Sequence, residues 1–297
     1  MNNFFLRTIT GITFVALLVS AIIYNPISFG VLFAVVSGLA TLEFCNIMNK
    51  QNGVRINTFM CTIASIMMFL GFFAYNSGIV MSVAVFLPYL VILLYLLIAP
   101  LYYDRNKALA SWAYTMMSQI YVALPFALLN VMTFIPYPSE TFAVEYANMY
   151  PLAIFIFLWS SDSGAYCVGS LLGRKIPYKL FPSISPKKSW VGSVGGTLLA
   201  IGAGAFISLN NIEFAFGDRL FRLYDHSLTL LQWMGFGLIV AVFGTWGDLV
   251  ESQIKRQLGI KDSGNILPGH GGMLDRFDSC LLAIPASLVY LYSLWCM

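Results

Sequence analysis

Nine long apolar runs constrain this chain more than any other feature. A helix needs roughly 20 apolar residues to cross about 30 Å of hydrocarbon, and runs of this kind occupy residues 8–24, 27–47, 57–75, 79–100, 112–135, 149–172, 191–209, 229–254 and 279–296. The composition agrees, since 59% of the residues are hydrophobic, 10% are charged and the mean hydropathy is +0.80. Such values lie outside the soluble range. The sequence therefore predicts an all-α, polytopic integral membrane protein with nine transmembrane helices.

The distribution of basic residues predicts which loops face the cytoplasm. If the N-terminus with Arg7 is cytoplasmic, 14 of the 16 Lys and Arg residues fall on that side, and only Arg219 and Arg222 lie outside. The positive-inside rule predicts such an excess. The N-terminus is thus predicted to be cytoplasmic and the C-terminus to lie outside. A cleavable signal peptide at the N-terminus is the alternative, and its removal would leave the later side assignments unchanged.

Cysteine spacing and net charge exclude several classes of protein. The five cysteines contain no Cys-x-x-Cys pair and lie in or beside predicted spans, so neither a disulfide framework nor a zinc site is predicted. The net charge of +3 comes from the predicted cytoplasmic loops, which indicates anionic lipid headgroups or phosphorylated substrates as partners. The sequence contains no long basic tract, so a nucleic acid partner is not predicted.

Reactive side chains are concentrated in the second half of the chain. Two predicted cytoplasmic loops, 174–190 and 255–277, are dense in Gly, Pro, Ser, Lys, His and Asp. Loops in the first half are short and poor in such groups, and no internal repeat or separate soluble domain is visible. The chain is therefore predicted to be a single domain over residues 1–297, with N-terminal helices in 1–150 and a catalytic half in 151–297.

Four acids lie at two predicted helix ends. Asp248 and Glu251 are three residues apart near the end of the eighth span, and Asp275 and Asp278 repeat that spacing at the start of the ninth. Residues at this spacing share a helix face, and carboxylates at membrane depth usually face a polar cavity. Mg²⁺ suits such oxygen ligands. The alternative is that the acids only pair with neighbouring bases and anchor the interface, these bases being Lys255, Arg256 and Arg276.

A glycine-rich turn separates the two pairs of acids. The run Leu267–Gly272 contains three glycines, which allow backbone N–H groups to approach an anion closely. His270 is placed to donate a hydrogen bond to a phosphate or pyrophosphate oxygen, and Gly271 and Gly272 follow it. The alternative is an ordinary turn with a solvated histidine. The position of the turn between Asp248 and Asp275 favours the anion site.

The other large loop offers cations and hydroxyls. Its run Ser183–Trp190 contains Ser185, Lys187 and Lys188 directly before the seventh span, and the two lysines can neutralise a triphosphate. Two lysines at a cytoplasmic helix start are also a common topology signal. The glycines that follow, Gly192, Gly195 and Gly196, are interpreted as sites of close helix packing. The alternative is that they admit a lipid chain.

Two further acids lie inside predicted spans. Asp162 is in the sixth span, in the run Ser160–Tyr166, and there it needs a partner or a cavity. Glu43 lies one turn from the cytoplasmic end of the second span and is interpreted as structural.

These blocks together resemble the phosphatidate cytidylyltransferases, the enzymes that make CDP-diacylglycerol. The resemblance rests on the Lys-Arg, Lys-Asp, His-Gly-Gly and Asp-Arg-x-Asp elements of residues 252–278, and on the SDSGAY, SPKKSW and Gly247–Ser252 blocks. It covers roughly residues 155–297, while the first 150 residues agree only in being hydrophobic. Val191 departs from the pattern, because members often carry Glu after the Trp; this puts a catalytic role at that position in doubt.

The resemblance implies a multi-pass, Mg²⁺-dependent enzyme that is commonly dimeric and acts on CTP and phosphatidate. It implies catalytic roles for Asp248, Lys255, His270, Asp275 and Arg276 and metal binding by Asp248, Asp275 and Asp278. It also implies substrate binding by Asp162, Ser185, Lys187, Lys188, Ser252, Arg256, Lys261, Gly271 and Gly272. A homodimer among membrane lipids is the resulting expectation. The compactness of the chain predicts the bacterial inner membrane, and the distribution of basic residues predicts a site on the cytoplasmic side.

Two other functions compete with this one. A CTP-dependent lipid or polyprenol kinase would use the same setting but release CDP instead of pyrophosphate. A transporter would place polar groups at mid-bilayer and break helices in matching positions of two halves; here the charges gather at one predicted membrane face. A CDP-alcohol phosphotransferase would carry an Asp-x-x-Asp-Gly-x-x-Ala-Arg run, whereas Ser279 and Cys280 follow Asp278.

Overall fold

The computed structural model describes residues 3–103, 108–136, 144–173, 175–210, 213–216, 219–222, 228–267 and 271–296. Some residues used in the predictions above lie outside these ranges, namely Arg105, Lys107, Arg174 and His270. The side chains of Arg7, Arg219 and Arg222 also lie outside the described part of the chain.

Most of the described chain is helical. The helices before the first hairpin are α1 (Asn3–Tyr24), α2 (Pro26–Met48), α3 (Thr58–Asn76), α4 (Leu87–Ile98), α5 (Pro100–Tyr103), α6 (Ala108–Met117) and α7 (Leu124–Thr133). The later helices are α8 (Met149–Leu172), α9 (Trp190–Asn210), α10 (Leu230–Gln257), α11 (Leu274–Phe277) and α12 (Cys280–Trp295). A 3₁₀ turn at Val83–Phe86 precedes α4, and a π-helical stretch at Ser118–Ala123 joins α6 to α7.

Three short antiparallel hairpins occupy connections that the sequence analysis treated as loops. They are β1 (Phe134–Pro136) with β2 (Val144–Tyr146), β3 (Lys179–Phe181) with β4 (Ser185–Ser189), and β5 (Glu213–Phe216) with β6 (Arg219–Arg222). Two paired strands satisfy each other's backbone hydrogen-bonding groups, as a connection between helices requires. Tyr146 in β2 donates a hydrogen bond from its hydroxyl to the Ile22 carbonyl at 2.7 Å. Burial raises the pKa of the Tyr146 hydroxyl well above its ordinary value, which keeps this donor protonated.

Helices long and apolar enough to cross a membrane coincide with the predicted spans. Among the described residues there are eight of them by length and composition, and a shorter apolar helix at Thr8–Tyr24 matches the first predicted span. The 3₁₀ turn, α4 and the start of α5 form one of the eight, Val83–Tyr102, and the helical run Leu109–Thr133 forms another. The prediction of an all-α polytopic membrane protein is confirmed. The orientation of the termini stays a prediction.

The chain forms two compact units. The N-terminal unit contains Met1–Ala147 together with Leu258–Phe277, and the C-terminal unit contains Asn148–Gln257 together with Asp278–Met297. The first boundary lies close to residue 150, where the sequence analysis divided the helices from the catalytic half. The return of Leu258–Phe277 to the N-terminal unit was not predicted. That segment, called the 258–277 segment below, contributes α11 to a unit otherwise built from the first 147 residues.

Aromatic rings anchor the end of the 258–277 segment in the core of the N-terminal unit. The ring of Phe277 lies 5.7 Å from that of Phe14, 6.5 Å from Phe33 and 5.5 Å from Phe126, measured between centroids. All three pairs are edge-to-face, which is a favoured geometry for aromatic rings. Phe277 is 1% exposed. Its burial among rings of α1, α2 and α7 holds the segment on these helices.

Buried hydroxyl groups join α2 to α3 in the same unit. The hydroxyls of Ser37 and Ser65 are 2.7 Å apart, and Thr41 donates to the Ser65 oxygen at 3.0 Å. All three residues are fully buried. Small hydroxyl residues let two helices approach and bond to each other in apolar surroundings, so this network fixes the position of α2, the helix that carries Glu43.

Glycines bring the helices of the C-terminal unit into close contact. A Cβ on Gly164 of α8 would lie 2.9 Å from the carbonyl oxygen of Gly195, and a Cβ on Gly196 of α9 would collide with the carbonyl oxygen of Ser161. Side chains at these positions would separate the two backbones. The interpretation of these glycines as sites of close helix packing is confirmed.

Replacing Gly196 by Ala should lower the thermal unfolding temperature of the purified protein in detergent. The added methyl group would overpack the α8–α9 contact, and overpacking typically costs about 1–3 kcal/mol. Gly202→Ala is the matched control, because no atom lies within 4 Å of the position of its Cβ. That variant should unfold at the wild-type temperature or above, since Ala favours a helix by roughly 1 kcal/mol over Gly. Equal unfolding temperatures for the two variants would contradict the close contact.

Candidate active site

The last turns of α10 carry paired charged and polar side chains. The Ser252 hydroxyl donates to Asp248 Oδ1 at 3.1 Å, and Lys255 Nζ lies 3.1 Å from Glu251 Oε2. Both pairs are four residues apart, the spacing that places side chains on one helix face. Each pair therefore lies on one face of α10. Glu251 is buried, and its charge is balanced by the lysine that follows one turn later.

The β3–β4 hairpin presents a lysine to α10. Lys188 Nζ lies 2.6 Å from Asp248 Oδ2, so the ion pair joins the strand directly before α9 to the end of α10. Lys187, the preceding residue, is more exposed. Asp248 thus has Lys188 as its charged partner. The alternative in which the acids only anchor the interface named other bases, Lys255, Arg256 and Arg276.

Contacts at both ends hold the hairpin in place. Arg256 Nε donates to the carbonyl oxygen of Ile184 at 3.3 Å, which ties the turn to the end of α10. The rings of Phe181 and Trp246 pack at 5.8 Å between centroids. Ser189 Oγ accepts a hydrogen bond from the N–H of Gly192 at 3.1 Å and so satisfies a donor in the first turn of α9. These contacts determine where the two lysines lie.

Two more acids of the C-terminal unit lie near Asp248. Asp162 of α8 and Asp278 before α12 are each close enough for their charges to interact with that of Asp248. Asp278 Oδ1 accepts a hydrogen bond from the Ser279 N–H at 2.6 Å. Gly247 allows α10 to pack closely against Asp278, because a Cβ at position 247 would lie 2.7 Å from the Asp278 carbonyl oxygen. Asp162, Asp248 and Asp278, which are far apart in sequence, therefore lie near one another in the C-terminal unit.

A cavity opens beside these charges. Its volume is about 610 Å³, and its lining combines cations, an acid and small residues, including Asp162, Gly169, Lys179, Lys187, Lys188 and Gly192. Pockets of this size accommodate ligands with several functional groups. The lining brings together Asp162, Lys187 and Lys188, which the sequence analysis placed in two separate blocks, and Lys179, which it did not select. Lys179 lies in strand β3 of the hairpin and faces the cavity, and only the fold shows this position.

The 258–277 segment is organised around the Asp275 carboxylate. Asp275 Oδ2 accepts hydrogen bonds from the backbone N–H groups of Ser263 and Gly272, both at 2.8 Å. Gly271 has φ of +85°, a conformation that favours glycine, and its carbonyl oxygen accepts from the Leu267 N–H at 3.0 Å. In the described part of the glycine-rich turn, the Gly272 N–H thus binds an anion, while the binding of a phosphate by this turn stays a prediction. In this structure that anion is a carboxylate of the same segment.

Glu43 of α2 contacts the same segment. Its Oε2 accepts from the Ser263 hydroxyl at 3.2 Å and from the Leu274 N–H at 2.8 Å. Glu43 is 4% exposed. Sequence reasoning treated this acid as structural, because a single carboxylate in an apolar helix gives no indication of its partner. The one available signal was its position near a predicted cytoplasmic helix end.

The predicted site residues divide between the two units. The C-terminal unit holds Asp162, Ser185, Lys187, Lys188, Asp248, Ser252, Lys255, Arg256 and Asp278. The N-terminal unit holds Lys261, Gly271, Gly272, Asp275 and Arg276, and His270 lies outside the described residues. Within the C-terminal unit, Lys188, Asp248 and Ser252 are in direct contact. In the N-terminal unit, Gly272 contacts Asp275, while Lys261 and Arg276 are exposed.

Apolar spanning helices and a cavity lined by three lysines and one carboxylate define an integral membrane protein equipped to hold anionic ligands. Comparison with known proteins narrows the class. The chain belongs to the cytidylyltransferase family, whose profile matches residues 5–294.

Individual relatives are similar over part of the chain. A phosphatidate cytidylyltransferase of Staphylococcus aureus (strain COL) is 36% identical over 173 residues, which cover 58% of this chain and 56% of that protein. A phosphatidate cytidylyltransferase of Bacillus subtilis (strain 168) is 40% identical over 141 residues, covering 48% of this chain and 46% of the relative. The chain thus spans about half the length of the curated relatives it matches.

The Lys188–Asp248 ion pair should contribute little to stability. The side chains are 28% and 31% exposed, and exposed pairs are typically worth about 0.2–1 kcal/mol. We expect a double-mutant cycle with Lys188→Met and Asp248→Asn, measured by unfolding in detergent, to give a coupling energy of about 1 kcal/mol or less. A coupling energy of several kcal/mol would identify the pair as a buried structural element instead.

Proposed function

We propose that this protein transfers the cytidylyl group of CTP to phosphatidate, giving CDP-diacylglycerol and pyrophosphate for phospholipid biosynthesis. Membership of the cytidylyltransferase family and the names of the relatives support this reaction. The observation that carries the proposal is the cavity of about 610 Å³ in the C-terminal unit. It presents Lys187 and Lys188 in a unit made of apolar helices, where a phosphorylated lipid and a nucleotide triphosphate would both find suitable surroundings.

The chemistry requires no general base. A phosphate oxygen of phosphatidate forms a bond to the α-phosphorus of CTP, and the bond from that phosphorus to the oxygen bridging to the β-phosphate breaks. Pyrophosphate leaves with the electron pair. The attacking oxygen is already ionised, since a phosphate monoester has a second pKa of about 6. Repulsion between two anions is the main barrier, so catalysis consists of positioning and charge neutralisation.

The cations of the C-terminal unit fit this task. Lys187 and Lys188 line the cavity and would lower the negative charge around the phosphates. Lys188 also holds Asp248, which keeps the lysine beside the cavity when no phosphate is bound. The roles of Lys255, Arg256, Arg276 and His270 in neutralising charge stay predictions from the sequence.

Mg²⁺ is the proposed cofactor, and the donor chemistry of the unit fits it. No group of three or more His, Cys, Asp or Glu side chains arranged to hold a metal occurs among the described residues. Mg²⁺ commonly uses only one or two carboxylates and takes its remaining ligands from water and substrate phosphates. Asp248 and Asp278 would hold it in the C-terminal unit, and Asp275 stays a ligand predicted from the sequence. The ion would supply charge stabilisation to the phosphate oxygens.

The cellular setting is proposed on the same basis. The excess of basic residues in alternate loops supports a site on the cytoplasmic side of the membrane. The bacterial relatives support the inner membrane, and the family resemblance supports a homodimer. Phosphatidate would enter from the inner leaflet, and CTP from the cytosol.

Purified protein with phosphatidate, CTP labelled in the cytidine ring and Mg²⁺ should produce a lipid-soluble cytidine product and an equal amount of pyrophosphate. The cytidylyl group ends on the lipid only if the α-phosphorus is attacked. Thin-layer separation of the lipid and an enzymatic pyrophosphate assay measure the two products. Release of CDP with an unlabelled phosphorylated lipid would instead show a CTP-dependent lipid kinase and refute the proposal.

Lys187→Ala should raise the KM for CTP tenfold or more. Loss of a charge-assisted contact to the triphosphate costs about 1.5–3 kcal/mol. Lys175→Ala is the matched control, because Lys175 is exposed in the same connection between α8 and α9 but does not line the cavity. It should leave the KM for CTP unchanged. An equal KM in wild type and Lys187→Ala would remove Lys187 from the CTP site.

A further inference from the structure

Glu43 combines three properties that a purely structural acid would not need together. It lies in an apolar spanning helix, it is 4% exposed, and both of its described hydrogen bonds go to the 258–277 segment more than 200 residues later. Burying a carboxylate is costly unless it is hydrogen-bonded. The two donors, the Ser263 hydroxyl and the Leu274 N–H, offset that cost only while the segment stays in place.

The fit between Glu43 and the segment is close. A Cβ on Gly264 would collide with Glu43 Oε1, and a Cβ on Gly272 would collide with Oε2. The segment therefore presents glycines at the two points where it passes the carboxylate. These contacts fix both the path of the 258–277 segment over α2 and its distance from that helix.

The same residues connect Glu43 to Asp275. Ser263 donates its hydroxyl to Glu43 and its backbone N–H to Asp275, at 3.2 and 2.8 Å. Gly272, which contacts Glu43, donates its N–H to Asp275 at 2.8 Å. Two routes of direct contact thus lead from one acid to the other within the N-terminal unit.

We propose that Glu43 is a positioning residue that fastens the 258–277 segment to α2 through Oε2 and thereby orients the Asp275 carboxylate. Its effect on activity rests on the proposed function, whereas its effect on the segment does not. Because both hydrogen bonds end on a single oxygen, an amide in the same place can preserve them. Neither the negative charge nor the second oxygen is required for this role.

The test compares Glu43→Met, which keeps the side-chain length without an acceptor, with Glu43→Gln, which keeps one acceptor oxygen. In Glu43→Met, trypsin should cleave after the exposed Lys261 at least fivefold faster than in wild type, with cleavage after the exposed Lys50 unchanged. The kcat for CDP-diacylglycerol formation should fall at least tenfold at normal membrane abundance. Glu43→Gln should return both quantities to within about threefold of wild type, as a hydrogen-bond replacement should.

Two further variants complete the experiment. Glu145→Gln makes the same chemical change at an exposed glutamate of the N-terminal unit and should behave as wild type. Ser263→Ala removes one donor and should accelerate cleavage after Lys261 about two- to threefold, so it tests the proposal even if Glu43→Met does not accumulate.

Two outcomes would overturn the proposal. Wild-type cleavage after Lys261 in both Glu43→Met and Ser263→Ala would show that Glu43 does not hold the segment. Glu43→Gln that is as inactive as Glu43→Met, yet protects Lys261 fully, would show that the charge acts on the reaction directly. A wild-type protein without cytidylyltransferase activity would refute the proposed function alone, because the cleavage rates are measured without substrates.

Discussion

The cost of placing charge in an apolar helical protein is the constraint on which this structure depends. A charged side chain at the centre of a membrane-spanning helix costs about 2.5–3.5 kcal/mol or more, so such acids need specific partners or a polar cavity, and Asp162 lines a cavity. Asp248 pairs with Lys188 and Ser252, and Glu43 accepts from Ser263 and Leu274. The Lys188–Asp248 pair and the contacts of Glu43 join segments that are remote in sequence, whereas Ser252 lies one turn from Asp248 in α10. Contacts to a few carboxylates thus mark where the connections lie on the helices.

Small residues are the second feature that determines how the helices pack. In the C-terminal unit, Gly164 and Gly196 let α8 and α9 touch through their backbones, while Gly169 and Gly192 line the cavity next to the hairpin. The same residue type therefore permits close contact between the two helices and also forms part of the cavity wall. The lysines of β4 lie where that space begins. For the proposed reaction between two phosphate-bearing substrates, this gives room for the ligands and positive charge at the same place.

Much of this could be predicted from the sequence, because the signals are local or additive. The apolar runs fixed the number and approximate limits of the spans, since each depends only on its own length and hydropathy. The pairing of Glu251 with Lys255 follows from helix periodicity. The division of the charged residues into two units could not be predicted, because Leu258–Phe277 joins the N-terminal helices through the burial of Phe277 among rings that come from three separate helices. The role of Glu43 could not be predicted either, because its partners also lie in the 258–277 segment, which is remote in sequence.

The sequence by itself determined that this is a polytopic helical membrane protein and which residue types are available for phosphate and metal chemistry, because hydropathy and motif content are properties of the chain. Only the tertiary structure decided which of these residues meet. It placed Lys188 on Asp248, Asp162 and Asp278 near the same carboxylate, and Glu43 on the turn that holds Asp275. The physical reason is that these contacts are made across 30 to more than 200 residues, where periodicity carries no information and packing alone selects the partner.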